Sequence, residues 1–220
     1  MKSILCYGDS NTWGFVPGAF ADRERFDRNT RWTGRLQQLL GSKEFYVIEE
    51  GLNRRTTNVD YQQDAYGFRG TEFISVILYT HTPLNLVVIM LGTNDFKKEF
   101  NRTTQQIAGG IKELIDMIRS TNYGPNMKKS PPILVISPPL PVKTECQHVV
   151  ESFFQDSDER AQTLARDLKA VVDEYPEDVY FVDAAPRVES TPIDGIHLDK
   201  QAHENLSILI HEKIREIFNS

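Results

Sequence analysis

Apolar positions in this chain fall into five short runs separated by stretches of helical periodicity. The runs at residues 3–7, 45–49, 86–91, 133–137 and 179–182 have strand length. "NLVVIML" and "ILVIS" hardly contain a polar position, as expected for strands covered on both faces in a parallel sheet. Between the runs, "RWTGRLQQLLG" sets Trp32, Leu36, Leu39 and Leu40 on one side and stops at Gly41. "TTQQIAGGIKELIDMIRST" repeats Ile107, Ile111, Leu114, Ile115 and Ile118 at helical spacing. Its Gly109 and Gly110 either weaken the helix by about 1 kcal/mol each or allow close packing. "DERAQTLARDLKAVVDEY" and "KQAHENLSILIHEKIREIF" are amphipathic, and "TEFISVILYTH", though less clean, is expected to be helical because a strand follows it. Strand–helix alternation predicts an α/β fold of three layers, α/β/α, with right-handed crossovers. No linker, internal repeat or low-complexity stretch divides residues 1–220, so one domain is expected. Three long connections, 12–29, 51–70 and 138–155, follow strand C-termini, where open α/β sheets carry their sites.

Composition narrows the function. At 220 residues a single core can bury roughly 70% of the unfolded chain's surface. The net charge is −6 and no basic run occurs, which argues against nucleic acid and anionic membranes as partners. Two cysteines, Cys6 and Cys146, make no disulfide framework, and no Cys/His spacing suggests zinc. No secretory signal precedes the first strand and no apolar run reaches the roughly 20 residues of a membrane span. A cytoplasmic protein without metal or cofactor is expected.

Four polar stops interrupt this pattern. Gly8-Asp9-Ser10-Asn11 ends the first strand; it reads as a turn with a capping serine, or as a nucleophile presented at a strand-to-helix turn. There Gly8 would supply an unusual backbone angle. Gly51 ends the second strand, as a plain turn glycine or as an N–H that a substrate oxygen can approach closely. Gly92-Thr93-Asn94-Asp95 ends the third long run; Asn94 either closes a turn or donates its amide to an oxyanion. Asp194-Gly195-Ile196-His197 precedes the last helix. Chance alone gives about 0.3 such Asp-x-x-His matches, so the spacing is weak by itself. Across a tight turn, however, the carboxylate can fix the imidazole tautomer and leave Nε2 as a base. Together the four stops supply nucleophile, oxyanion donors, base and orienter, a complete set for acyl transfer.

"GDSN", Gly51, "GTND" and "DGIH" resemble the four motif blocks of the SGNH, or GDSL-type, hydrolases, from residue 4 to residue 197. The resemblance implies a flavodoxin-like sandwich with a five-stranded parallel sheet. It implies Ser10 as nucleophile, Asp194 and His197 as its triad partners, and Ser10, Gly51 and Asn94 as the oxyanion hole. "ILCYGDSNTWGF" and "EGLNRRTTNVD" are most similar to the arylesterase and acyltransferase branch, whose members act on small acyl esters and include oligomers. The expectation is therefore a serine esterase for aryl or short-acyl esters, with acyl transfer and homo-oligomerisation open. Alternatives are a carbohydrate or lipid deacylase of the same family, or a flavodoxin-like module whose "GDSNTWG" loop cradles a phosphate. Asn11 stands where leucine is usual and, with Trp13 and Phe15, is expected to wall the substrate pocket. Asp9 and Asp95 are expected to organise their own loops. Arg55 is expected to pair with a carboxylate or be solvated. His81, His148, His203 and His211 read as surface or helix residues, and "SPPLPV" as a stiff loop near the alcohol side of the site.

Overall fold

The computed structural model describes residues 1–21, 23–62, 67–153 and 157–219; parts of all three long connections expected from the sequence lie outside these residues. The strands are β1 (Lys2–Gly8), β2 (Phe45–Gly51), β3 (Leu86–Met90), β4 (Ile133–Ile136) and β5 (Val179–Val182). All pair in parallel, in the order β2-β1-β3-β4-β5. Each coincides with an expected apolar run to within two residues. Among the described residues seven α-helices accompany them: α1 (Ser10–Trp13), α2 (Trp32–Leu40), α3 (Gly70–His81), α4 (Thr104–Arg119), α5 (Gln147–Ser152), α6 (Ser157–Val172) and α7 (Lys200–Asn219). The short α1 and α5 carry too few residues to show a helical period and were not expected.

Strand alternation builds two cores, one on each face of the sheet. Leu5, Tyr7, Val87, Ile89, Ile133 and Val135 point to one side, where α3, α4 and α6 supply Ile74, Ile107, Ile111 and Leu164. Ile4, Cys6, Val88, Leu134 and Ile136 point to the other, against Trp32 and Leu36 of α2 and Leu206 and Ile210 of α7. In α4, Gly109 faces open space, whereas Gly110 lets the helix press against Thr57 and Asn58. Close packing is thus the role of the second glycine. No helix among the described residues is long and apolar enough to cross a membrane.

The strand order places the fold's natural binding crevice. The order of strand addition switches side at β1: the chain lays β2 on one side of it and then returns to lay β3 on the other. The loops leaving the C-terminal ends of these strands diverge there and open a cleft. The first three polar stops lie at those strand ends.

Candidate active site

Asp9 follows β1 directly and caps α1, its carboxylate accepting the Asn11 N–H at 2.9 Å. Ser10 is therefore the first residue of a helical turn. That turn lies close against the sheet edge because two glycines make room. A Cβ on Gly8 would collide with the Thr12 side chain, and a Cβ on Gly51 with the backbone of Thr12 and Trp13. Neither glycine has a positive φ. The expectation that Gly8 supplies an unusual angle is corrected accordingly. Both positions need glycine for the close approach of α1.

His197 reaches Ser10 from the loop before α7. Gly195, at φ +79°, makes the turn, and Asp194 Oδ1 accepts the N–H groups of Ile196 at 3.2 Å and His197 at 3.0 Å. Oδ2 lies 2.9 Å from His197 Nδ1 and also accepts the Gly18 N–H at 2.8 Å. His197 Nε2 is 2.9 Å from Ser10 Oγ. Sequence positions 187 residues apart are thus joined in one line, carboxylate to imidazole to hydroxyl. Burial alone would raise the Asp194 pKa, but the hydrogen bond and positive charge of His197, with the His197 and Gly18 N–H donors, hold it below the ordinary carboxylate value. An ionised Asp194 keeps the proton on Nδ1 and leaves Nε2 free to accept one.

Asn94 begins a 3-10 turn, Asn94–Phe96, just past β3, and its Nδ2 donates to the Arg55 carbonyl at 3.2 Å. Gly51 pairs with Gly8 at the end of the β1–β2 ladder. Ser10, Gly51, Asn94 and His197 all line one cavity of about 710 Å³. Trp13, Phe15, Phe20, Phe68 and Phe153 form its apolar wall, and Asn53, Arg54, Lys97, Glu99 and His148 bring polar groups to it. Phe15 stacks on the His197 ring with centroids 4.5 Å apart, and Phe20 tilts against it at 5.9 Å. Ring packing on one side and Asp194 on the other restrict the imidazole to the orientation that meets Ser10.

Several expectations need correction. Asn11 is not among the cavity-lining residues; its amide donates to Ile196 O at 3.0 Å and accepts from Leu198 N at 3.1 Å, so it ties the serine turn to the histidine loop. A leucine could make neither bond. Arg55 is neither solvated nor hydrogen-bonded to a carboxylate: it is buried over the Tyr7 ring and donates to the carbonyls of Gly8 and Glu50. Asp95 organises the β2 loop as well as its own, accepting from Thr57 N at 3.0 Å, Thr57 Oγ1 at 2.6 Å and Arg102 Nη1 at 2.6 Å. His203 is helical but fully buried, and His81 meets Glu50 at 2.9 Å. "SPPLPV" does not line the cavity; Val142 instead donates to Gly195 O at 2.9 Å and braces the Asp-x-x-His turn. His148 is an exposed helix residue, as expected, and also lines the cavity; Gly18, Phe20 and Arg102 escaped the sequence reading because none stands at a strand end or in a motif.

The sequence matches the GDSL-like lipase/acylhydrolase family over residues 6–204, and the chain belongs to that family. It is 38% identical to the native M. smegmatis aryl esterase, with a TM-score of 0.90 over 98% of this chain and 99% of that one. It is 33% identical to a carbohydrate acetylesterase family member from Sinorhizobium meliloti, with a TM-score of 0.90 over 100% of both chains. No curated protein matches the chain by sequence. The chain is accordingly an esterase of the SGNH type, and the phosphate-cradling module is set aside.

Proposed function

We propose that this esterase cleaves small aryl and short-acyl carboxylic esters through an acyl-enzyme on Ser10. Ser10 Oγ attacks the ester carbonyl carbon while its proton passes to His197 Nε2. Asp194 stabilises the imidazolium that results. The carbonyl oxygen, now an oxyanion, receives the N–H groups of Ser10 and Gly51 and the amide of Asn94. Collapse of this intermediate breaks the bond to the alcohol oxygen, which takes the proton from Nε2. Water then attacks the acyl carbon with His197 again as base, and Ser10 is regenerated. An alcohol taking the place of that water would receive the acyl group instead.

The observation that carries this reading is the 2.9 Å contact of His197 Nε2 with Ser10 Oγ inside a cavity walled by aromatic rings. Phe15 and Phe20 beside the imidazole, with Trp13 in the same cavity wall, suit a flat leaving group, because the alcohol oxygen must face Nε2 to be protonated. The relatives' names divide between aryl esters and acetylated carbohydrates; the aromatic wall favours the former for this chain.

The test is turnover of p-nitrophenyl acetate, butyrate and octanoate, and of an acetylated sugar, by wild type and Ser10→Ala. Ser10→Ala should lose at least about 10³-fold in kcat. Acetate and butyrate should exceed octanoate, and the aryl ester should exceed the sugar ester. Equal activity of wild type and Ser10→Ala would sink the nucleophile assignment, and a preference for the sugar would move the substrate to the deacylase alternative.

A further inference from the structure

Arg55 touches all three strand-end loops of the site. It is only 3% exposed, and its guanidinium lies 4.0 Å over the Tyr7 ring. Its Nη1 donates to Gly8 O at 2.8 Å, at the end of β1, and to Glu50 O, at the end of β2. Its own carbonyl accepts the Asn94 amide at 3.2 Å, just past β3. Its Nε is buried without a hydrogen-bond partner among the described residues. A simple loop staple does not require this arrangement. Burying a guanidinium against carbonyls is costly, and a neutral side chain could fill the same volume.

The partners explain the choice of a cation. Glu50 O and Gly51 N–H belong to one peptide group. Charge-assisted donation to the carbonyl end draws electrons from the N–H end and strengthens it as a donor. The Asn94 amide carries two N–H groups. With one committed to Arg55 O, the amide plane is fixed and the other N–H is left for the substrate oxygen. Gly8 O, the third partner, lies two residues before the Ser10 N–H. We propose that Arg55 is the positioning residue of the oxyanion hole: it polarises the Glu50–Gly51 peptide and orients the Asn94 amide, and its buried positive charge favours the tetrahedral oxyanion. This rests on the roles given above to Gly51 and Asn94. Arg55 itself does not line the cavity and touches no substrate.

Such a residue acts on the transition state and leaves ground-state binding alone. The test compares wild type, Arg55→Lys, Arg55→Met and Ser10→Ala with p-nitrophenyl acetate, and measures inhibition by phenylboronic acid, which forms a tetrahedral adduct on an active serine. For Arg55→Met, kcat should fall roughly 10- to 100-fold, below the loss from deleting an oxyanion donor outright, with KM unchanged within about twofold. Boronate affinity should weaken by the same factor as kcat. Arg55→Lys, which keeps the charge and can still reach one carbonyl, should recover a large part of both. The acidic limb of the pH–rate profile should stay in place, since His197 and Asp194 are untouched. Activity that survives in Ser10→Ala would overturn the proposed function and this inference with it. With Ser10 dependence intact, a kcat within twofold of wild type in Arg55→Met would overturn the inference alone. So would a loss confined to KM, or failure of both Arg55 variants to fold, which would make the residue a structural one.

Discussion

Gly51 and Gly109 show how one residue type does opposite work at two positions. A Cβ at Gly51 would meet the backbone of Thr12 and Trp13, which cannot move without shifting Ser10. Gly51→Ala should therefore destabilise the protein by about 1–3 kcal/mol and lower kcat as well. Thermal melting together with steady-state rates would show both losses, and an unchanged kcat would mean that α1 is not held by this contact. At Gly109 nothing lies within 4 Å of an added Cβ, and the residue sits inside α4. Gly109→Ala should raise stability by roughly 0.5–1 kcal/mol and leave turnover as it was. The same economy governs the triad. Asp194→Asn keeps the shape of the side chain but removes the charge that fixes the tautomer of His197. Its kcat should drop on the order of 10⁴-fold, while the melting temperature changes far less. Rate and melting data on that variant separate a tautomer role from a packing role.

Loops become a site here through clamps between elements. Asp95, fully buried, accepts from Thr57 and Arg102 and so binds the turn after β3 to the loop after β2 and to the segment before α4. Asn94 is its neighbour, and Thr57 lies two residues past Arg55. Burial raises the Asp95 pKa, while Thr57 and Arg102 oppose the rise. Asp95→Ala would leave the Thr57 donors without their acceptor and the Arg102 charge without its carboxylate, although Arg102 keeps Asn58 Oδ1 and the Gln106 carbonyl, so a loss of about 3–5 kcal/mol is expected. Denaturant unfolding would measure it; a loss below about 1 kcal/mol would mean the clamp is not carrying the loops. This clamp also marks how far the sequence could be read. The five strands were legible because a parallel sheet buried on both faces demands continuous apolar runs, and the long helices because one apolar stripe faces the sheet. Ser10, Gly51, Asn94, Asp194 and His197 were legible because each interrupts such a run or stands in a motif. Arg55, Arg102 and Gly18 were not. An arginine looks the same in sequence whether it faces water or a buried carbonyl, and Gly18 contributes only a backbone N–H. Asn11 was misplaced for a related reason. A polar residue beside a nucleophile suggests a pocket, whereas its amide is consumed by the backbone of Ile196 and Leu198.

Two buried titratable groups near the site give the whole molecule opposing responses to acid. His203 on α7 accepts the Trp32 N–H on α2 at 3.3 Å and packs edge-on to Phe26. Burial, helped by the charges of Arg31 and Arg35, lowers its pKa from 6.5 to about 3. The folded state thus resists a proton that the unfolded state accepts. The stability associated with a neutral His203 is present above pH 6.5 and is lost as pH falls toward about 3. Asp9 runs the other way. Burial raises it from 3.8 to about 6, with the Asn11 N–H and the charges of His197 and Arg55 opposing. Its contribution is present below pH 3.8 and is lost as pH rises through about 6. Each contributes a slope of about 1.4 kcal/mol per pH unit inside its window, with opposite sign, so the two largely cancel between about pH 4 and 6. Substitution separates them. Relative to wild type, His203→Gln should gain about 2 kcal/mol on going from pH 7 to pH 5, because it no longer has a proton to refuse. Asp9→Asn, which can still accept the Asn11 N–H, should gain on wild type in the other direction, by about 2 kcal/mol from pH 4 to pH 6. Urea unfolding of the three proteins at pH 4, 5, 6 and 7 gives both differences. Parallel curves for His203→Gln and wild type would mean that His203 titrates alike folded and unfolded, and the buried imidazole would then play no part in the acid limit of this fold.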